Sequence, residues 1–188
     1  MKVRTRLVFV MRSRLGYRLS FIALLTTAIL ASAHPVGQAT PNPGFPSIKL
    51  QGVDGQIYDL ANLRGNVVLI SFGATWCVPC STELHALEEL RREYAGKPVK
   101  FFWVSIESDE QVSNDRLRRY AKEQRISFPI LRDPLKLAFT QFSPRVRLPM
   151  IVFFAKEGAV DAPVQFGMRL PVDVYKSDLR VRLNKLLA

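Results

Sequence analysis

Cysteine and histidine are scarce in this 188-residue chain, with two of each. Cys77 and Cys80 can close only one bridge, which excludes a multi-disulfide scaffold. A structural zinc site needs four ligands. The chain could assemble four only from both cysteines, His85 and His34, and His34 falls in a segment that reads as a linker. No apolar run reaches the roughly 20 residues that span a bilayer core. The longest is Leu19–Ala31, apolar apart from Ser20, Thr26 and Thr27, so a polytopic membrane protein is excluded. Acid is missing altogether from residues 1–33, which carry Lys2, Arg4, Arg6, Arg12, Arg14 and Arg18. Of 27 Lys and Arg, six therefore sit in this stretch, leaving 21 against all 16 acids in the rest. The net charge of +11 is largely a terminal feature and does not call for a nucleic-acid partner. What remains, at 48% hydrophobic and 23% charged overall, has the balance of a folded globular protein.

The N-terminal stretch reads as an address. Basic residues precede the short apolar run, and Ala31-Ser32-Ala33 follows with the small-x-small pattern of a signal-peptidase site. Residues 1–33 are thus expected to be a secretory signal peptide cleaved after Ala33, the alternative being an uncleaved N-terminal membrane anchor. The basic flank keeps this end in the cytosol while the rest is exported, to a periplasmic or otherwise extracytoplasmic location. No Arg-Arg pair precedes the run, which favours the general export route. Residues 34–44 (HPVGQATPNPG), with three prolines and two glycines, read as a linker. Residues 45–188 read as one domain without internal repeats.

Hydrophobic periodicity gives that domain an alternating α/β pattern. Ser47–Gln51 and Gln56–Asp59 flank an Asp54-Gly55 hairpin turn. Val67–Phe72 (VVLISF) and Val99–Ile106 (VKFFWVSI) have the apolar, β-branched and aromatic content of strands buried on both faces. Between them, Leu84, Leu87, Leu90 and Tyr94 form one helical stripe, with Glu88, Glu89, Arg91 and Arg92 mostly elsewhere, and Gly96-Lys97-Pro98 stops the helix. The result is a βαβ unit with parallel strands. A surface helix over Asn114–Arg125, a short strand at Ile130–Leu131 and a short helix over Leu135–Phe142 are expected next. Strands at Met150–Ala155 and Val160–Phe166 and a closing helix over Pro171–Leu187 complete the chain.

The chemistry lies at a strand–helix junction, in Trp76-Cys77-Val78-Pro79-Cys80. A helix N-terminus offers unpaired N–H groups and roughly half a positive charge, which favour a thiolate. Cys77 is expected to be the exposed sulfur of lowered pKa and Cys80, one turn further in, the shielded one. Cys77 could attack a partner's disulfide and Cys80 then resolve the mixed disulfide. Pro79 stiffens the turn, and Trp76 offers an apolar surface beside the sulfur.

Ser71 to Leu84 (SFGATWCVPCSTEL) resembles the active-site block of the thioredoxin superfamily, in its exported TlpA/ResA-like branch. Three further stretches match that branch in order and spacing: Asp59-Leu60 to Leu63-Arg64-Gly65, Ser127-Phe128-Pro129-Ile130-Leu131-Arg132-Asp133, and Val146 to Phe153. The resemblance implies a three-layer α/β/α fold with a central mixed sheet and an N-terminal β-hairpin. It implies that Cys77 is the nucleophile, Cys80 the resolving cysteine and Pro149 a cis-proline lying against the disulfide. Leu148 and Pro149, with Trp76 and Pro79, would then meet the substrate. Glu83 maps onto an active-site glutamate that adjusts thiol pKa values or relays a proton, the alternative being a solvated first-turn acid. The implied partners are protein thiols and disulfides and a membrane electron donor. The implied direction is reduction, for example in cytochrome c maturation or disulfide repair. No cofactor or metal is implied, and the chain is expected to be a monomer.

This chain also departs from the branch pattern. Gly73 stands where Trp is frequent, Ser71 where Asn is frequent, and no proline stands near His85, which reads as a surface position on a straighter helix. Arg147 replaces a common glycine. On a strand-like approach to Pro149 it shares a face with Arg145, where the pair would bias partner choice. Two alternatives use the same fold. A peroxidase would want Thr three residues before the reactive Cys, where Ala74 stands, and a copper carrier would want wider Cys spacing and a His near Pro149.

Overall fold

The computed structural model describes residues 46–188, so the leader and linker expected over 1–44 lie outside the described residues. Seven strands form one mixed sheet: β1 (Lys49–Gly52), β2 (Ile57–Asp59), β3 (Val67–Gly73), β4 (Val99–Ser105), β5 (Ile130–Arg132), β6 (Met150–Phe154) and β7 (Val160–Phe166). Their order is β2-β1-β5-β4-β3-β6-β7. The central β3, β4 and β5 are parallel, whereas β1, β2, β6 and β7 pair antiparallel. The N-terminal hairpin turns at Gly55, whose φ of +84° only glycine adopts without strain, and β1 then fastens it to β5.

Every residue of β3 is buried, and its side chains alternate between two cores. Val67 and Leu69 pack with Leu84, Leu87 and Leu90 of α1 (Val78–Glu93), with α2 (Asn114–Glu123) and with α3 (Val172–Leu187). Val68, Ile70 and Phe72 pack on the other face against Leu60, Ala138 and Phe139. That second outer layer is thin, built on 3-10 turns at Leu60–Leu63 and Phe139–Gln141. The fold is the expected thioredoxin-like α/β arrangement. Its βαβ unit places the end of β3 beside the start of α1.

Two expectations change. Helix α1 starts at Val78, earlier than its apolar stripe suggested, because Cys77 serves as an extended N-cap and Pro79 sits in the first turn, where a missing N–H costs nothing. The helix expected over Leu135–Phe142 is a single 3-10 turn. Lys136 takes a φ of +57°, which breaks any helix. The buried Asp133 carboxylate accepts the N–H groups of Ala138 and Phe139 instead.

Gly73 has a packing reason. A Cβ there would lie 2.5 Å from Nε1 of Trp103, a fully buried side chain on β4 that fills the space beside it. Gly73→Ala should therefore cost about 1–3 kcal/mol, the usual overpacking penalty. Urea unfolding should show the loss shrinking when Trp103→Phe is added. Strict additivity of the two substitutions would mean that the indole is not the obstacle.

Candidate active site

The chain leaves β3 at Gly73 and makes one tight turn, closed by the Cys77 amide donating to the Ala74 carbonyl at 3.1 Å. Cys77 then caps α1, and its carbonyl accepts the N–H of Cys80 at 3.0 Å. Cys77 and Cys80 are joined in a disulfide with their Cα atoms 5.2 Å apart. Cys80 is 0% exposed and Cys77 only 6%, so the expected asymmetry has the right sense but neither residue stands out into solvent. Ala74 and Leu148 pack around the pair. Trp76 and Val78 are exposed at 62% and 77%, and Pro79 is exposed beside them.

Pro149 follows Leu148 through a cis peptide bond and is buried at the start of β6. Because β6 pairs with β3, Leu148 reaches the disulfide from a segment more than sixty residues away in the chain. Leu148 thus packs on the disulfide from one side, with the buried Pro149 next to it in the chain, and Trp76 and Pro79 flank the two cysteines in sequence. Among the described residues, cavities of about 410–500 Å³ lie away from residues 74–80.

Glu83 sits one helical turn beyond Cys80 and is buried, so it is not a solvated first-turn acid. Its carboxylate accepts the Ser71 hydroxyl at 2.5 Å and the Tyr175 hydroxyl from α3. Burial pushes the carboxyl up to about 7, while the two hydroxyl donors pull in the opposite direction. Tyr175 is raised in turn, by burial first and by the adjacent carboxylate second. Ser71, one of the departures from the branch pattern, is therefore a direct partner of Glu83. His85 is exposed, as expected.

One buried acid escaped the sequence reading. Glu107, two residues past β4, accepts the Thr75 amide at 2.8 Å and the Thr75 hydroxyl at 2.7 Å, and also the Ser105 hydroxyl at 3.1 Å. It latches the turn that carries Trp76 and Cys77 to the end of the neighbouring strand. An acid directly after a strand buried on both faces was the available clue. Glu88, expected mostly away from the apolar stripe, is also buried, accepting from Ser127 and pairing with Arg91 and Arg92. Among the described residues no group of three or more His, Cys, Asp or Glu is arranged to hold a metal ion, and no helix is long and apolar enough to cross a membrane.

Residues 41–162 match the AhpC/TSA family. The thiol-disulfide oxidoreductase ResA of Oceanobacillus iheyensis is 26% identical over 187 residues, covering 92% of this chain and 93% of the relative. The thioredoxin-like protein YneN of Bacillus subtilis is 38% identical over 88 residues, covering 47% of this chain and 51% of the relative. Among solved structures, a thiol:disulfide interchange protein of the thioredoxin family from Chlorobium tepidum superposes with a TM-score of 0.64. It is 23% identical and covers 77% of this chain and 96% of that one, a likeness of fold. With a Cys-x-x-Cys disulfide capping α1 and a cis-proline loop against it, this chain belongs to the AhpC/TSA family, in its thioredoxin-like, TlpA/ResA-like branch of thiol–disulfide oxidoreductases.

Proposed function

We propose that this chain works outside the cytoplasm as a thiol–disulfide oxidoreductase that reduces disulfides in partner proteins. The observation that carries the chemistry is the Cys77–Cys80 disulfide at the N-terminus of α1, with Leu148 packed on it. The basic, acid-free leader and the likeness to ResA support the location. The branch resemblance supports the reducing direction, with a membrane protein as electron donor and cytochrome c maturation or disulfide repair as settings. Ala74, packed on the disulfide where a peroxidase would carry Thr, argues against peroxide as the substrate.

In the reduced chain the Cys77 thiolate is favoured by the helix N-terminus it caps. It attacks one sulfur of the partner's disulfide, forming a Cys77–partner bond and releasing the partner's other sulfur as a thiolate. Cys80 loses its proton and attacks the Cys77 sulfur, closing the Cys77–Cys80 bridge and releasing the second partner thiolate. Two electrons pass from the Cys77/Cys80 dithiol to the partner, whose two sulfurs end protonated. We assign the proton of Cys80 to Glu83, one turn further along α1, whose buried carboxyl is raised to about 7.

Equilibration with glutathione buffers tests this reading. The bridge should open in one two-electron transition, in which a tenfold change in the dithiol/disulfide ratio spans about 30 mV. Fluorescence of the exposed Trp76 beside it should follow the same curve. A bridge that stays closed at every glutathione poise and never exchanges with a protein disulfide would overturn the proposal.

A further inference from the structure

The two segments that meet at the disulfide carry exposed apolar side chains and, in the loop before Pro149, two arginines. Trp76 and Val78 stand out on the α1 side, and Val146, at 51% exposure, on the side of the loop before Pro149. Arg145 and Arg147 alternate with Val146 in that loop, and both are exposed. The backbone amides and carbonyls of Val146 and Arg147 have no partner among the described residues, so this stretch is open to an extended chain laid beside it. The next residue, Leu148, touches the disulfide.

The two guanidinium groups are treated differently from most arginines of the domain. Arg116, Arg118, Arg132, Arg169, Arg180 and Arg182 each close on a carboxylate. Arg145 and Arg147 pair with no acid among the described residues. Arg147 instead lies over the face of Phe166 on β7, its guanidinium carbon 4.2 Å from the ring centroid, which holds the charge at the rim rather than letting it swing into solvent. Positive charge without a counter-ion, in the loop whose next residue packs on a reactive disulfide, favours a partner that brings the acid itself.

Resting on the thiol–disulfide reading above, we propose that Arg145 and Arg147 select partners whose cysteine lies in an extended, acid-bearing segment. The apolar rim takes side chains next to the partner's cysteine, and the arginines take Asp or Glu within a few residues of it. The step selected is the exchange already written: the partner's disulfide gains two electrons from the Cys77/Cys80 dithiol.

Three peptide disulfides, identical except for Asp, Lys or Ser flanking the cysteine, provide the test. Stopped-flow rates with the reduced full chain should favour the Asp peptide over the Lys peptide about tenfold at low salt. High salt should remove that preference, and so should Arg145→Ala/Arg147→Ala at low salt. Equal wild-type rates on the Asp and Lys peptides at low salt would overturn the inference. So would an acid preference that survives in the double variant, since the charge would then lie elsewhere. The Ser peptide separates this inference from its foundation: a wild-type chain that reduces it while showing no charge preference refutes only the arginine assignment. Failure to reduce any of the three refutes the thiol–disulfide reading and this inference with it.

Discussion

Cys80→Ser should hold partner proteins as mixed disulfides on Cys77, whereas Cys77→Ser should hold almost none. Both substitutions remove the bridge, so any difference between them reports the roles of the two sulfurs. Cys77 caps the helix, where backbone N–H groups and the helix dipole stabilise a thiolate. Cys80 lies one turn in, fully buried behind Ala74 and Leu148, where a charged sulfur is disfavoured and a partner's backbone has no access. With Cys80 absent, nothing resolves the first mixed disulfide, so complexes should accumulate as bands that collapse on reduction in non-reducing gels. Turnover on a protein disulfide should fall by orders of magnitude in both variants. Equal trapping would sink the assignment of nucleophile and resolver.

Glu83→Gln should make stability less dependent on pH. The folded chain holds the Glu83 carboxyl at about 7, above the ordinary value of 4.5, so folding favours its protonated form. Such a group contributes its full stability below about pH 4.5 and loses it as pH rises through about 7. The wild type should therefore weaken against Glu83→Gln by about 3 kcal/mol across that window, since each tenfold difference in proton affinity between folded and unfolded chain is worth about 1.4 kcal/mol. Urea midpoints of the disulfide form, measured from pH 4 to 8, would show the two curves diverging. Parallel curves would mean that Glu83 titrates like a solvated acid. Tyr175→Phe removes one donor to the carboxylate and should extend the divergence to higher pH. If Glu83 also takes the Cys80 proton, the bend near pH 7 in the exchange rate of the wild type should vanish in Glu83→Gln.

Much of the frame was legible without coordinates because it rests on local patterns. The apolar runs at 67–72 and 99–106 and the leucine stripe of α1 specify buried strands and a one-sided helix, whatever they pack against. The Cys77–Cys80 spacing at a strand–helix junction brings the sulfurs within bonding reach through local geometry alone. The cis bond at Pro149 was legible through the branch resemblance, and the pairing of β6 with β3 is what brings the neighbouring Leu148 onto the disulfide. By contrast, the segment at 135–142 carried enough apolar residues to read as a helix. The competing hydrogen bonds to Asp133 and the left-handed Lys136 carried no periodic mark.

What the sequence determined by itself was the sheet's alternating faces, the helix beside it and the dithiol at their junction, since each depends on residues a few positions apart. Tertiary structure alone decided the fate of the acids. Glu83 meets Tyr175, 92 positions away; Glu88 meets Ser127, 39 away; and Glu107 meets Thr75, 32 away. A carboxyl on a helix or just past a strand looks solvated until the chain closes over it. Whether it is then a surface charge, a latch or a proton carrier near pH 7 depends on how much water is excluded and which hydroxyls and amides replace it. The same holds for Gly73, an unexplained small residue in the sequence and, in the fold, the space that Trp103 occupies.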